Sequence, residues 1–461
     1  MTIPRVARVH GAGGLGNGAL VFDGRFRVAF VLFGGMLALQ SSPTLDAVKI
    51  TYLVGTVLCL VGALVTVWRA RRTPEVRLGV PWIAVSAALA VLIAMSFLVA
   101  RANLTSTMDW TRDVAAYGLF AAVPVLALDV QSSASRKLLI GLLVVAGILG
   151  GVSWAFEWLS RRNIADLPLT HLVFPSGQLP SMLYLFAMAT ALTARRGGGA
   201  WVALGGVILG LFLLTGTRSS LLLLIGPLAI AVLLGRPGMR SSLLTFLSHG
   251  VVAVAVVLAF QLALALPTVL EPGGTPGEPS GSKPPATAGP GVLPDRLGSL
   301  GALLNSQAID PSMKERVAQY QAAWALFVSS PIVGVGPGHP IVWTNVSGRQ
   351  RTGFTADTPL VMPAKFGVVG MLVFLGAAVA YGSTVRTAWQ RDPRSVITLT
   401  LVGYAVLTIV GLPLGFPVED KGASLALILL LALAFAERRQ PKLPAATQTL
   451  SVGVAERQRT S

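Results

Sequence analysis

Read only for hydrophobic and polar positions, the chain alternates long apolar runs with short polar breaks. The runs fall near 28–39, 48–68, 80–100, 114–128, 138–159, 179–193, 201–214, 219–234, 251–266, 359–385, 396–410 and 425–435. Many approach the ~18 or more residues that, wound as a helix, cross a hydrocarbon layer of roughly 30 Å with every backbone group satisfied internally. The pattern predicts an all-α fold, a polytopic transmembrane helical bundle of about twelve spans.

One polar interruption stands apart, and it divides the chain. The expected order is a tail over 1–27, nine spans over 28–266, a large late external loop over 267–358, three spans over 359–437 and a tail over 438–461. Within the loop, 271–294 is so rich in Pro and Gly that it reads as a disordered or extended linker. Order is expected to return after Leu297. Asp310 followed by Pro311 has the form of an N-cap with Pro at the first helical position. Met313, Val317, Tyr320, Ala323, Trp324 and Phe327 then recur at three-to-four spacing. This predicts an amphipathic helix over about 311–329 lying on or near the membrane face, followed by a tight glycine turn over 334–340.

Charge settles orientation more than partnership. The chain has 461 residues, 53% hydrophobic and 12% charged, a formal net charge of +17 and a mean hydropathy of +0.71. Most of the 36 Lys and Arg residues fall in the two tails and in alternate short loops. The excess of positive residues marks cytoplasmic loops, so both termini are expected in the cytoplasm, without a cleaved signal peptide. The positive charge is a topology signal, and no nucleic-acid partner is expected. The opposite, external side receives Arg101, Arg112, Arg161, Arg162, His171, Arg218, the long loop and Glu419 to Lys421.

Other chemistries find little support. The single cysteine, Cys59, sits in an apolar run, so no intrachain disulfide framework exists, and no Cys/His spacing suits zinc. Gly11, Gly13 and Gly16 fit a nucleotide-loop spacing, but no βαβ unit surrounds them. No cofactor is expected, and the outer loops hold no Asp-x-Asp metal pair.

Three pieces, in this order and on one membrane side, carry a resemblance. The first is LTGTRSSLLLL, with Arg218 at the mouth of a span and Leu222 four residues on. The second is RVAQYQAAWALFVSSPIVGVGPG, with Arg316, Trp324, Pro331, Gly334, Gly336 and Gly338. The third is Gly367 and Gly370, preceded at the family's spacing by Ala356 and Asp357. Together they resemble the O-antigen ligase and polymerase family of bacterial envelope glycosyltransferases, best over 216–370. The resemblance implies transfer of a glycan from a polyprenyl-pyrophosphate donor to a glycan, lipid or protein acceptor at the outer face of the cytoplasmic membrane. The family carries a histidine where this chain has Ala356. Asp357, His339 in the glycine turn, or His171 in another external loop would have to serve the acceptor in its place.

The leaving group would be a lipid pyrophosphate, and arginine suits it because the guanidinium stays charged and donates bidentate bonds. That makes Arg218 and Arg316 the candidates for stabilising it. The amides of Gly334, Gly336 and Gly338 form either a plain turn or an anion nest. Arg161 and Arg162 are either a helix-end ion pair with Glu157 or part of a substrate groove. Trp110, Trp154, Trp158 and Trp343 fit an interfacial aromatic belt, with sugar stacking open for one of them. Two other functions remain in view: a transporter or lipid-linked sugar flippase, and a non-catalytic relative.

Overall fold

Apolar runs become helices here because lipid and packed helices leave the backbone no other partner than itself. The computed structural model describes residues 24–38, 46–69, 79–133, 136–160, 177–194, 198–214, 223–234, 239–270, 311–345, 347–415 and 417–438. The helices are α1 (Gly24–Ala38), α2 (Asp46–Arg69), α3 (Val80–Ala102), α4 (Thr107–Ser133), α5 (Arg136–Ser160), α6 (Gln178–Thr193), α7 (Gly198–Leu214), α8 (Ile225–Leu234), α9 (Met239–Leu270), α10 (Pro311–Ser329), α11 (Val361–Arg391), α12 (Val396–Gly411) and α13 (Lys421–Arg438). Five of them, α2, α3, α4, α5 and α11, are long and apolar enough to cross a membrane. The chain is an all-helical membrane protein in the main.

Helix environment follows composition. Apolar on all sides, α13 and α6 lie in the centre, with Leu425 to Phe435 and Leu179 to Ala189 buried. By contrast α2, α3, α9 and α11 turn Leu58, Leu98, Val251 and Leu372 outward, each more than 60% exposed. Such a surface suits hydrocarbon and not water.

Two features depart from the expected pattern. A short antiparallel hairpin, β1 (Ile341–Thr344) and β2 (Gln350–Gly353), interrupts the all-α plan, with Ile341 opposite Gly353 and Thr344 opposite Gln350. Ile, Val and Trp favour the pleated conformation. The turn is drawn in by Asn345, whose Oδ1 accepts from the backbone N–H groups of Ser347 and Arg349. Second, α1 begins at Gly24, so Arg25 and Arg27 belong to its first turn and not to a tail. Arg27 tolerates this because Asp129 of α4 meets its guanidinium.

The most consequential irregularity is a break in α11. Gly367 has φ 62° and ψ −161°, a conformation open essentially to glycine alone. The break frees two carbonyls before it and two N–H groups after it, and the segment following α10 takes up all four. Val335 and Gly336 donate to the carbonyls of Ala364 and Lys365 at 2.9 and 3.0 Å. Val368 and Val369 donate to Pro331 and Ile332 at 2.8 and 3.2 Å. A Cβ on Gly367 would lie 2.2 Å from the Ile332 carbonyl oxygen. The glycine turn and the broken helix are one interlocked unit.

Candidate functional site

The break positions Lys365, and Lys365 organises what surrounds it. Its ammonium sits 2.7 Å from Asp113 Oδ1 of α4 and 2.8 Å from Glu419 Oε1 in the short helical turn before α13. The lysine side chain is 1% exposed and the two carboxylates 3% and 8%. Tyr117 donates its hydroxyl to the same Glu419 oxygen at 2.9 Å, and its ring lies under the ammonium at 5.5 Å. Burial pushes the Glu419 carboxyl above its usual range, against the pull of the neighbouring Lys365 ammonium. Desolvated charges of this kind persist only when fully partnered.

The glycine turn completes the network. Gly338 N–H donates to Asp113 Oδ2 at 2.7 Å, while Gly334 N–H donates to the Ser330 carbonyl and Gly336 N–H to that of Lys365. All three amides are therefore occupied by the protein itself. Of the two readings of Gly334, Gly336 and Gly338, a plain turn or an anion nest, these partners fit the turn, and the anion that Gly338 meets is the carboxylate of Asp113. The glycines are required sterically. All three have positive φ, and a Cβ on each would fall within 3 Å of the backbone of Lys365, Ala100 or Trp110 respectively.

Beside this network opens a cavity of about 570 Å³. Its walls come from the ends of α5, α6, α7 and α12, from α10 and the hairpin, and from the segment before α13. Asp357, Ala356, Gln319, Trp154, Trp343, Gln178, Glu419 and Asp420 are among its lining residues. The loop holding Asp357 is fixed to α10, since Asp357 N–H donates to Gln319 Oε1 at 2.6 Å. In turn, α10 is tied down by Tyr320, whose hydroxyl donates to the Pro413 carbonyl at 2.8 Å. Its buried side is Gln319 and Ala323, whereas Val317 and Trp324 are about half exposed. Ala322 and Leu326, outside the expected stripe, pack with Ile341 of the hairpin, while Val317 and Trp324 of the stripe are exposed.

The anticipated site residues separate accordingly. Asp357 lines the cavity and is exposed there. Arg316 stands one turn before Gln319 on α10, half-buried and not on the cavity wall. His339 also lies off the wall, and burial lowers its imidazole pKa. Arg218, Arg161, Arg162 and His171 lie outside the described residues, as does the linker 271–294.

The sequence reading overlooked Lys365 and Asp113. A single lysine near the end of an apolar run reads as one that reaches for headgroups, and its partners lie 252 and 54 residues away. Comparison with known proteins bears on the same region. Residues 202–375 match a family model described as O-antigen ligase, a stretch running from α7 through the glycine turn into α11. No curated protein matches the chain.

Proposed function

We propose, on the premise that residues 202–375 carry an O-antigen ligase domain, that this membrane protein is a glycosyltransferase. It transfers or polymerises a polyprenyl-pyrophosphate-linked glycan onto an acceptor at the outer face of a bacterial cytoplasmic membrane. In this reading the chain crosses the bilayer about twelve times with both termini in the cytoplasm, and the cavity opens outward. The observation that carries it is the position of Asp357, which follows Ala356, the place of the family's histidine, and lines the cavity of about 570 Å³.

The chemistry follows from the groups at hand. An acceptor hydroxyl oxygen attacks the anomeric carbon of the donor sugar and the bond from that carbon to the pyrophosphate oxygen breaks. The hydroxyl proton passes to the Asp357 carboxylate. Negative charge grows on the departing polyprenyl pyrophosphate, where Arg316 and Arg218 supply fixed positive charge. The exposed Val317, Trp324 and Val328 of α10 seat that helix in the outer leaflet, which brings Arg316 to the depth of a lipid-borne phosphate.

Broken helices also serve ion-coupled transporters, where freed backbone groups coordinate the ion. In α11 those groups are already taken by Pro331, Ile332, Val335 and Gly336, which favours transfer over transport. The test is release of polyprenyl pyrophosphate from a labelled lipid-linked oligosaccharide by the full chain in nanodiscs, with membrane extract as acceptor source. Asp357→Asn should slow release by about 10²–10⁴-fold, and Arg316→Ala by about 10²–10³-fold. Full release from both variants would remove these assignments, and no release with several donors would point to transport or a non-catalytic role.

A further inference from the structure

The sequence leaves open which tryptophan meets a sugar, and the structure separates the candidates. Trp110 is off the cavity wall, with its indole N–H donating to Ser96 Oγ at 3.3 Å and its ring edge-on to Phe97. Trp154 and Trp343 both line the cavity. The Trp154 ring is tilted onto Phe212 with centroids 4.5 Å apart, and it packs with the helical core. Trp343 is set differently. It stands on β1 and packs on the small cluster of Ile341, Ala356 and Val361, which includes the residue just before Asp357.

The Trp343 ring is also held in place. Its indole N–H donates to Glu315 Oε1 of α10 at 3.2 Å. In the hairpin register Trp343 stands opposite Arg351, and its ring reaches toward the diagonal neighbour Gly353. A Cβ on Gly353 would lie 3.2 and 3.4 Å from the Cη2 and Cζ3 atoms of that ring. The glycine thus gives the indole a seat without a side chain. With the N–H engaged by Glu315, the surface that Trp343 offers to the cavity is carbon.

Resting on the transfer reading, we propose that Trp343 is the stacking platform of the acceptor subsite. It holds a pyranose ring of the acceptor glycan by its C–H face, beside Asp357. The electron-rich face of an aromatic ring attracts the slightly positive hydrogens of such a face. A rigid ring with two torsions also loses little freedom when it is covered. Small-molecule sites combine apolar, aromatic walls with a few polar groups that fix orientation. Here Trp343 supplies the wall, and Gln319 and Asp357 supply polar groups on the same cavity. Stacking selects a ring face, and the hydroxyl turned toward Asp357 is the one that gives up its proton.

Saturation-transfer NMR on the full chain in nanodiscs tests this, with maltotriose, cellotriose and an N-acetylglucosamine trimer as probes and open-chain sorbitol as control. Irradiating aromatic protons should saturate ring C–H protons of at least one trisaccharide and leave sorbitol untouched. Trp343→Ala should weaken binding of that probe by about 2–10-fold, and Trp343→Phe, which keeps a ring, by less. In the release assay Trp343→Ala should raise the extract needed for half-maximal rate by a similar factor, with the donor KM unchanged. A purely structural role would move the donor KM or the maximal rate instead. No ring saturation with any of the three probes, or saturation lost in Trp154→Ala and kept in Trp343→Ala, would overturn the proposal. The two readings fail separately: release assays that stay negative while saturation depends on Trp343 sink the transferase, and release with unaltered extract dependence in Trp343→Ala sinks the platform.

Discussion

At one end of the bundle Arg27 meets Asp129 through two bonds of 2.7 and 2.9 Å, with a third from the guanidinium to Thr66. At the other end Lys365 stands between Asp113 and Glu419. Both clusters are buried, yet they are built differently. In the first, one guanidinium meets one carboxylate and Thr66 and ties together three helices, α1, α2 and α4. The second sets one cation against two carboxylates, reaches the glycine turn through Asp113 and touches the cavity through Glu419. A cluster joined to a turn and a cavity transmits the geometry of a loop to a site, whereas one joined only to neighbouring helices clamps them.

The widest gap between the two should appear on replacing the cations and then their partners. Lys365→Met leaves two buried carboxylates without a counter-charge and should cost about 3–5 kcal/mol in thermal unfolding, with Arg27→Met at the low end of that range. Adding Asp129→Leu to Arg27→Leu should restore most stability and keep transfer, because a buried pair exchanged for apolar groups is often neutral. Adding Asp113→Asn and Glu419→Gln to Lys365→Met should recover stability but not transfer. Full activity in that triple variant would erase the distinction drawn here.

A smaller contrast lies within the segment between α10 and α11. Gly334→Ala would place a Cβ 2.3 Å from the Lys365 carbonyl carbon at φ +71°, and should cost about 2–4 kcal/mol. Gly348→Ala has a similar φ of +72° but no neighbour within 4 Å. It should cost only the backbone penalty of about 1–2 kcal/mol. Melting temperatures of the two variants in one detergent compare them directly.

The smallest effect belongs to His339. Burial lowers its pKa, so its neutral form is the one the fold favours. The stability tied to it is present above about 6.5, its ordinary value, and is lost as pH falls through the lowered one. Melting curves of His339→Gln should therefore lack a slight acid-side decline seen in the parent. Because His339 is off the cavity wall, the pH profile of transfer should not change.

Local physics was legible in the sequence and distant pairing was not. The apolar run 48–68 marks α2 to within two residues because hydrophobic continuity and helix length are the same signal in a membrane. In α9 the run 251–266 marks only the later part, since Arg240, Ser241, Ser242, Ser248 and His249 dilute its first turns. Gly367 and Gly370 stood out by spacing, yet their use, a break filled by another segment's backbone, depends on a partner more than thirty residues earlier. The hairpin was missed because each strand is four residues long, too short for a period of two to show. Lys365, Asp113 and Glu419 carry no local sign of one another. Asp357 was reachable by counting back from the glycines, while Gln319, which fixes its loop, was not.

The break at Gly367 also has a consequence for how the protein enters its membrane. From Val368 to Arg391 the helix rises roughly 36 Å at 1.5 Å per residue, already enough for a hydrocarbon core of about 30 Å. The arm from Val361 to Phe366 is not needed for the crossing. During insertion the buried lysine of that arm can therefore stay in the interfacial layer, and its transfer from water goes into a polar niche of protein and not into lipid. The glycine that interrupts the helix thus sets Lys365, four residues from the start of α11, apart from the crossing segment.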